Sequence, residues 1–110
     1  MENFNINHLV FNSDGLIPTI AQEKSTNEIL MMAYSNKNSI EMTVKTKKAH
    51  FWSRSKKKLW QKGETSGNKL NIFNIYTDCD SDTLIFEVEL EGDGACHTGS
   101  KSCFYKKLEL

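Results

Sequence analysis

Short apolar segments of four to eight residues follow one another along the chain, separated by polar or glycine-bearing turns. Segments of this length with period-two alternation are typical of β-strands. The pattern is clearest in residues 83–90, where Leu84, Phe86, Val88 and Leu90 fall on one face, and it is imperfect in residues 70–77. The predicted strands are residues 16–21, 28–34, 49–55, 58–61, 70–77, 83–90 and 103–105.

One segment has the pattern of a helix. Asn36 can cap a helix that runs to Thr46, with Ile40 and Val44 four residues apart on its inner face. Pro18, the single proline, places the strand 16–21 at a sheet edge or begins it, because proline cannot donate to a strand ladder. The predicted fold class is therefore mainly β with one short helix (α+β).

The length of 110 residues allows a single domain, residues 1–110, whose small core would benefit from self-association. No apolar run approaches the roughly 20 residues of a membrane span. The polar N-terminus, residues 1–8, does not have the pattern of a signal peptide. We therefore expect a cytoplasmic protein that does not associate with membranes.

The net charge of zero conceals a marked asymmetry. Residues 45–69 carry nine of the 14 basic side chains and one acid, Glu64, whereas residues 70–110 carry eight acids and three lysines. This distribution predicts that the basic segment binds anions and that the acidic segment binds cations.

The motif DCDSD at residues 78–82 concentrates three of the five aspartates of the chain. If the segment is extended, Asp78, Asp80 and Asp82 point to one face and Cys79 to the other. Their mutual repulsion raises some of their pKa values unless a cation lies among them, and carboxylates suit Mg²⁺ or Ca²⁺. The alternative is a solvated acidic turn between two strands.

The three cysteines are Cys79, Cys96 and Cys103, an odd number that argues against a closed disulfide framework. Three thiolates that leave one position open form the arrangement of a catalytic zinc site, whereas a structural zinc has four protein ligands. The alternative is that all three are small core residues. His50 and His97, which is beside Cys96, each lie within a motif and are the candidates for acid–base chemistry.

Arg54 is the single arginine beside 13 lysines. Its planar fork binds phosphate or carboxylate in a bidentate manner that lysine cannot reproduce. Nearby hydroxyl and charged groups extend the candidate substrate and phosphate contacts, which are Ser53, Arg54, Ser55, Lys62, Glu64, Thr65 and Ser66. The mixture of basic and aromatic residues also permits single-stranded nucleic-acid binding.

Four motifs together resemble the phosphoribosyl-AMP cyclohydrolases of histidine biosynthesis: HFWSRS at 50–55, KGETSG at 62–67, DCDSD at 78–82 and ACHTGSKSCFY at 95–105. The segments GLIPTIAQ at 15–22 and ILMMAYSN at 29–36 are similar to the N-terminal part of that family. The resemblance runs in order from about residue 9 to residue 105. Because the chain stops at Leu110, we expect no fused pyrophosphohydrolase domain.

The resemblance implies zinc- and magnesium-dependent hydrolysis of the N1–C6 bond in the adenine ring of 1-(5-phosphoribosyl)-AMP. It also implies an intertwined homodimer with active sites at the subunit interface. The zinc ligands of the family correspond to Cys79, Cys96 and Cys103, shared between subunits, and its magnesium ligands to Asp78, Asp80 and Asp82. We therefore expect a small-molecule substrate and no nucleic-acid partner.

Two other classes of protein deserve comparison. A zinc nucleobase deaminase needs H-x-E followed by P-C-x-x-C, and neither pattern is present. A small zinc-stabilised nucleic-acid-binding module would coordinate one zinc ion with four protein ligands, the three cysteines and His97. In that case Cys96 and His97, which are adjacent, would have to share one tetrahedral ion.

Overall fold

The computed structural model describes residues 2–110 and contains six strands and one α-helix. The strands are β1 (Ile17–Glu23), β2 (Ile29–Ser35), β3 (His50–Ser53), β4 (Lys58–Gln61), β5 (Lys69–Thr77) and β6 (Leu84–Glu91). The helix α1 is Lys37–Thr46, and a short 3₁₀ turn covers Ile6–His8. The expected mainly β fold with one helix is confirmed. The final strand predicted at residues 103–105 is wrong, because this segment forms no strand.

Four strands form the main sheet in the order β2-β1-β6-β5. β1 is antiparallel to β2 and parallel to β6, and β6 is antiparallel to β5. The two remaining strands, β3 and β4, form a separate antiparallel ribbon. The long connection between β1 and β6 carries the helix, the ribbon and β5, so one parallel pairing joins the beginning of the chain to its end.

Pro18 lies in an interior strand, which corrects the expectation of an edge position. It pairs with Tyr34 of β2, whereas the pairing of β1 with β6 begins one residue later, at Thr19. Proline has no amide hydrogen to donate, and Pro18 lies before the first residue of β1 that pairs with β6. The imperfect alternation of β5 also has a physical cause, a bulge between Ile72 and Asn74 that leaves Phe73 half-exposed.

Helix α1 is capped as the sequence predicts. The Asn36 side chain accepts from the backbone N–H of Ser39, while the Ser39 hydroxyl accepts from the N–H of Asn36. The buried face differs from the expected one, because Ile40 is buried but Val44 is 43% exposed. Thr43 takes the inner position instead, and its hydroxyl donates to the carbonyl of Ser39.

The core lies between the main sheet and the β3–β4 ribbon. Phe51 of β3 stacks on Phe86 of β6 with 5.6 Å between ring centroids, and Trp60 of β4 lies 5.4 Å from Phe51. The inward face of β6 is fully buried at Leu84, Phe86 and Val88, as the alternation predicts. No helix within residues 2–110 is long and apolar enough to span a bilayer.

We predict that Phe86→Ala lowers the free energy of unfolding by about 3–5 kcal/mol, because it removes a fully buried ring and leaves a cavity. Phe73→Ala is the matched control, since Phe73 is 50% exposed. Its cost should stay below about 1.5 kcal/mol. Urea denaturation measures both. Equal losses in the two variants would contradict the position of the core.

Candidate active site

The three aspartates lie in the turn that connects β5 to β6. This turn is not extended, which corrects the expected alternation, and Ser81 within it adopts a positive φ of 63°. The turn nevertheless brings Asp78, Asp80 and Asp82 together, with one carboxylate oxygen of each within 4.8 Å of the others. The backbone N–H of Asp82 donates to Oδ1 of Asp78 at 3.1 Å. The predicted carboxylate group therefore forms within a single chain.

Asp78 and Asp82 differ in their affinity for protons. The pKa of Asp82 is raised, first by its hydrogen bond with Asp80 and then by desolvation and the charge of Asp78. For Asp78, desolvation acts to raise the pKa, but the hydrogen bonds from Asp82, Asp80 and Thr83 outweigh it and the pKa is lowered. The predicted rise in pKa is thus present at Asp82, where the charges of Asp80 and Asp78 add to the hydrogen bonds and to desolvation, and a cation among the three groups would oppose it.

Cys96 and Cys103 form a pair in the loop that follows β6. Cys96 is buried and Cys103 is exposed, and each thiol affects the pKa of the other. The Thr98 hydroxyl donates to Sγ of Cys96 at 3.0 Å. The backbone closes the loop on itself, because the N–H of Ala95 donates to the carbonyl of Lys101 and that of Cys96 to the carbonyl of Ser100.

The surroundings of the pair favour a thiolate at Cys96. The hydrogen bonds from Thr98 are the largest cause of its lowered pKa, and the charge of Lys62 adds to them. Burial is the largest cause of the raised pKa of Cys103, and the neighbouring Cys96 adds to it. Because the thiolate is the form that binds metal, the loop presents one ligand already biased toward that form. The charge of Lys62 acts on both Cys96 and Cys103, so the motif KGETSG, which contains Lys62, lies near the cysteine loop.

The cysteine loop is attached to the β1–β2 hairpin by contacts that the sequence analysis missed. Nζ of Lys101 lies 2.7 Å from the carboxylate of Glu23 and 3.2 Å from that of Glu28. The backbone N–H of Cys103 donates to the carbonyl of Leu30 at 2.7 Å. One signal was available: alternation in β1 places Glu23 on the buried face, where a carboxylate needs a cationic partner.

The acidic turn and the thiol pair lie at opposite ends of β6. The acidic turn precedes Leu84, and the cysteine loop follows Glu91, so a strand of eight residues, roughly 25 Å long, separates them. Cys79 is exposed on the acidic turn. Within residues 2–110, no group of three candidate metal ligands closer than 4.8 Å includes a cysteine. The three thiols therefore do not meet within a single chain.

The candidate phosphate contacts are divided between the two ends of the β3–β4 ribbon. Arg54 and Ser55 lie in the turn at the tip, where the Ser53 hydroxyl accepts from the N–H of Lys56 at 3.2 Å. Lys62 lies at the base, and its N–H donates to the carbonyl of Ala49. Glu64, Thr65 and Ser66 are exposed in the following loop.

Gly63 explains why this loop folds so tightly at the base of the ribbon. Its φ is +83°, and a Cβ at this position would lie 2.4 Å from the backbone of Asn68. Only glycine, which has no Cβ, allows the two backbone segments to come this close. The hydroxyls of the loop remain exposed.

The two histidines differ in their environment. His97 is exposed beside Cys96. His50 is buried, with Nδ1 at 2.8 Å from the carbonyl of Lys48. Because a carbonyl only accepts, Nδ1 carries the proton in this geometry and Nε2 keeps a free lone pair. Nε2 of His50 is thus prepared to accept a proton, and His97 is open to solvent or to a bound molecule.

The donor sets fit two different metal ions. Sulfur ligands such as the Cys96–Cys103 pair suit Zn²⁺, and three carboxylates such as those of the acidic turn suit Mg²⁺. The thiol pair offers two ligands, so a third must come from elsewhere to complete a catalytic zinc site. The geometry therefore fits both groups, with the thiol site incomplete in one chain.

The fold and the site define a small, mainly β enzyme domain with thiol and carboxylate groups at opposite ends of one sheet. A profile of the phosphoribosyl-AMP cyclohydrolase family matches residues 31–105. The phosphoribosyl-AMP cyclohydrolase of Archaeoglobus fulgidus is 55% identical over 101 residues, which cover 92% of this chain and 93% of that protein. The chain belongs to the phosphoribosyl-AMP cyclohydrolase family.

Two further relatives show the range of the similarity. The phosphoribosyl-AMP cyclohydrolase of Chlorobium phaeovibrioides is 55% identical over 89% of this chain and 71% of its own length. A bifunctional histidine-biosynthesis protein of Aquifex aeolicus is 50% identical over 92% of this chain, but the match covers only 49% of that longer protein. The similarity therefore includes both single-function and bifunctional relatives.

We predict that Lys101→Met lowers the free energy of unfolding by about 1–3 kcal/mol, because it leaves the buried carboxylate of Glu23 without its cation. The hydrogen bond to Lys101 is the largest cause of the lowered pKa of Glu23. The contribution of this pair is therefore complete above the usual carboxyl pKa and is lost as the pH falls through the lowered value. Urea denaturation between pH 7 and pH 3 should show the two proteins converging at acid pH. The control is Lys106→Met, and an equal loss there would contradict the role of the pair.

Proposed function

We propose that this chain hydrolyses the N1–C6 bond in the adenine ring of 1-(5-phosphoribosyl)-AMP, as a zinc- and magnesium-dependent homodimer in histidine biosynthesis. Family membership carries the proposal, above all the 55% identity to a protein of almost the same length that bears this activity in its name. The sulfur and carboxylate groups at separate places in the fold support the assignment of two different metals.

The reaction adds water across one bond. The oxygen of water attacks C6, the C6–N1 bond breaks, and one proton of the water goes to N1, so the ring opens without any other reactant. When bound, zinc lowers the pKa of a coordinated water toward about 7, which makes hydroxide available at neutral pH. His97 and His50 are the residues we propose for the proton transfer, in that order.

Each histidine has a distinct argument in its favour. His97 is adjacent to Cys96 and exposed, so it can reach a substrate that lies at the thiol pair. His50 has its Nδ1 proton held by the carbonyl of Lys48, which leaves Nε2 as a base. A general base must lie within hydrogen-bond reach of the proton that it removes. Proximity to the thiol pair therefore ranks His97 first.

The substrate carries two phosphates, and the chain offers two kinds of anion contact. Magnesium on Asp78, Asp80 and Asp82 suits one phosphate, since Mg²⁺ is commonly held by carboxylates together with phosphate oxygens. Arg54 suits the other through its bidentate fork. The Arg54 turn and the Lys62 loop lie at opposite ends of the ribbon, so we propose that they contact different parts of the substrate.

The separation along β6 supports a zinc site shared between two subunits. One chain supplies Cys96 and Cys103, and we propose that the partner supplies the third sulfur ligand through its own Cys79. A two-fold dimer repeats any such contact, which gives two equivalent sites. The exposure of Cys79 supports this arrangement, because a thiol that faces outward is available to a second copy.

We predict that the protein supplied with zinc and magnesium opens the ring of phosphoribosyl-AMP, measured by the change in ultraviolet absorbance. Chelating zinc should abolish turnover. Removing magnesium alone should also abolish it while zinc, measured by metal analysis, stays bound.

Two results would contradict this proposal in different ways. Turnover that survives exhaustive removal of magnesium would make the acidic turn a structural feature only. No turnover with both metals present, together with binding of single-stranded RNA, would support a zinc-stabilised binding module instead.

We predict that co-expression of Cys79→Ser with Cys96→Ser restores about a quarter of the wild-type activity, although each variant alone is inactive. Random pairing makes about half of the dimers mixed, and each mixed dimer keeps one site with all three cysteines. The matched control is Cys96→Ser with Cys103→Ser, which leaves no complete site in any dimer. Inactivity of the first mixture, with mixed dimers demonstrated by mass spectrometry, would refute the shared site.

A further inference from the structure

The single arginine of the chain lies over an aromatic ring. Cζ of Arg54 is 4.1 Å from the centroid of the Tyr34 ring, well inside the distance at which a guanidinium is attracted to the face of an aromatic ring. Tyr34 is half-buried in β2, whereas Arg54 is exposed in the turn between β3 and β4. The contact therefore joins an exposed side chain on a turn to a ring on the main sheet.

Tyr34 occupies a rigid position. It pairs with Pro18 of β1, and the next residue, Ser35, is fully buried with its hydroxyl 2.8 Å from that of Thr19. Asn36 then caps helix α1. The ring is thus attached to a part of the backbone that sheet pairing and a helix cap both restrain.

Arg54 itself has no other partner in the described part of the chain. Within residues 2–110 its guanidinium forms no ion pair and no hydrogen bond, and the turn that it begins continues with Lys56 and Lys57 and leads to Lys58 of β4. A guanidinium that stacks through its face keeps its N–H donors free at its edge, which is the edge that binds phosphate. The surrounding lysines make an anion the favoured ligand.

We propose that Tyr34 is the positioning residue for Arg54, holding the guanidinium on the ring face so that its edge receives a phosphate of the substrate. This rests on the proposed function, in which Arg54 contacts a phosphate. An arginine side chain loses rotamer freedom when it binds, and a stack formed in advance reduces that loss. Tyr34 therefore acts on substrate affinity and leaves the chemical step unchanged.

The chain offers a matched control for the loss of such a contact. Nζ of Lys24 lies 4.5 Å from the centroid of the Phe73 ring, on the opposite edge strand, β5. Phe73→Leu removes an aromatic ring from under a cation, as Tyr34→Leu does, but away from the ribbon. Tyr34→Phe is the conservative variant, because it keeps the ring face and removes only the hydroxyl.

The first measurement requires neither turnover nor metal. Because Arg54 is the only arginine, its Nε–Hε group gives one assignable signal in a ¹H–¹⁵N spectrum. We expect the ring current of Tyr34 to move this signal upfield in the wild type and in Tyr34→Phe, and the shift to be lost in Tyr34→Leu. An unshifted wild-type signal would overturn the stack.

The second measurement titrates that signal with 5′-AMP, using adenosine as the probe without phosphate. We expect saturable binding of AMP in the wild type, weakened by about 2- to 5-fold in Tyr34→Leu, the range that an exposed cation–π contact supports. Tyr34→Phe and Phe73→Leu should bind as the wild type does. Adenosine should leave the Arg54 signal in place. Equal affinities in Tyr34→Leu and the wild type would overturn the positioning role.

Steady-state kinetics separate this inference from the proposed function. We expect Tyr34→Leu to raise KM for phosphoribosyl-AMP by about 2- to 5-fold with kcat unchanged. It should raise KM no further in an Arg54→Ala background, because the two residues act through one contact. A wild type without turnover refutes the proposed function and leaves the AMP titration to decide the role of Tyr34. An equal rise of KM in both backgrounds overturns it.

Discussion

The parallel pairing of β1 with β6 is the constraint on which the rest of the structure depends. It places the acidic turn before β6 beside the start of β1, and the cysteine loop after β6 beside the end of β1. The backbone N–H of Val10 donates to the carbonyl of Ser81 at the first end, and Lys101 binds Glu23 at the second. The length of one strand thus keeps a sulfur site and an oxygen site apart.

Two polar side-chain contacts stabilise the cysteine loop in addition to its backbone hydrogen bonds. The Thr98 hydroxyl stabilises the thiolate form of Cys96, and the ion pair of Lys101 with Glu23 attaches the loop to the sheet. Metal-binding residues need such support, because a ligand that is free to rotate binds metal less tightly than one held by its neighbours. The loop has no regular secondary structure, so these contacts stabilise it in place of strand pairing.

The period-two pattern of β6 and the cap at Asn36 were predictable because each depends on local sequence. Val44, Pro18 and the segment 103–105 were not, because each depends on distant partners. Val44 is exposed since Thr43 takes the inner position, and Pro18 is tolerated inside the sheet because β6 begins its pairing one residue later. The aspartates could be found as a cluster. The stack of Arg54 on Tyr34 could not, because it joins a turn residue to a strand residue 20 positions away without any sequence signal.

The parallel pairing also has a consequence for how the molecule forms. β1 and β6 meet only after the roughly 60 residues between them have been gathered into a closed loop, which is entropically costly and slow. The β2 strand, the helix and the ribbon lie within that loop, and all of them can form earlier from local contacts. The cysteine loop docks on the end of β1, so it takes its shape at the last stage of folding. Cys96 and Cys103 therefore take up their final positions only when the rest of the fold is in place.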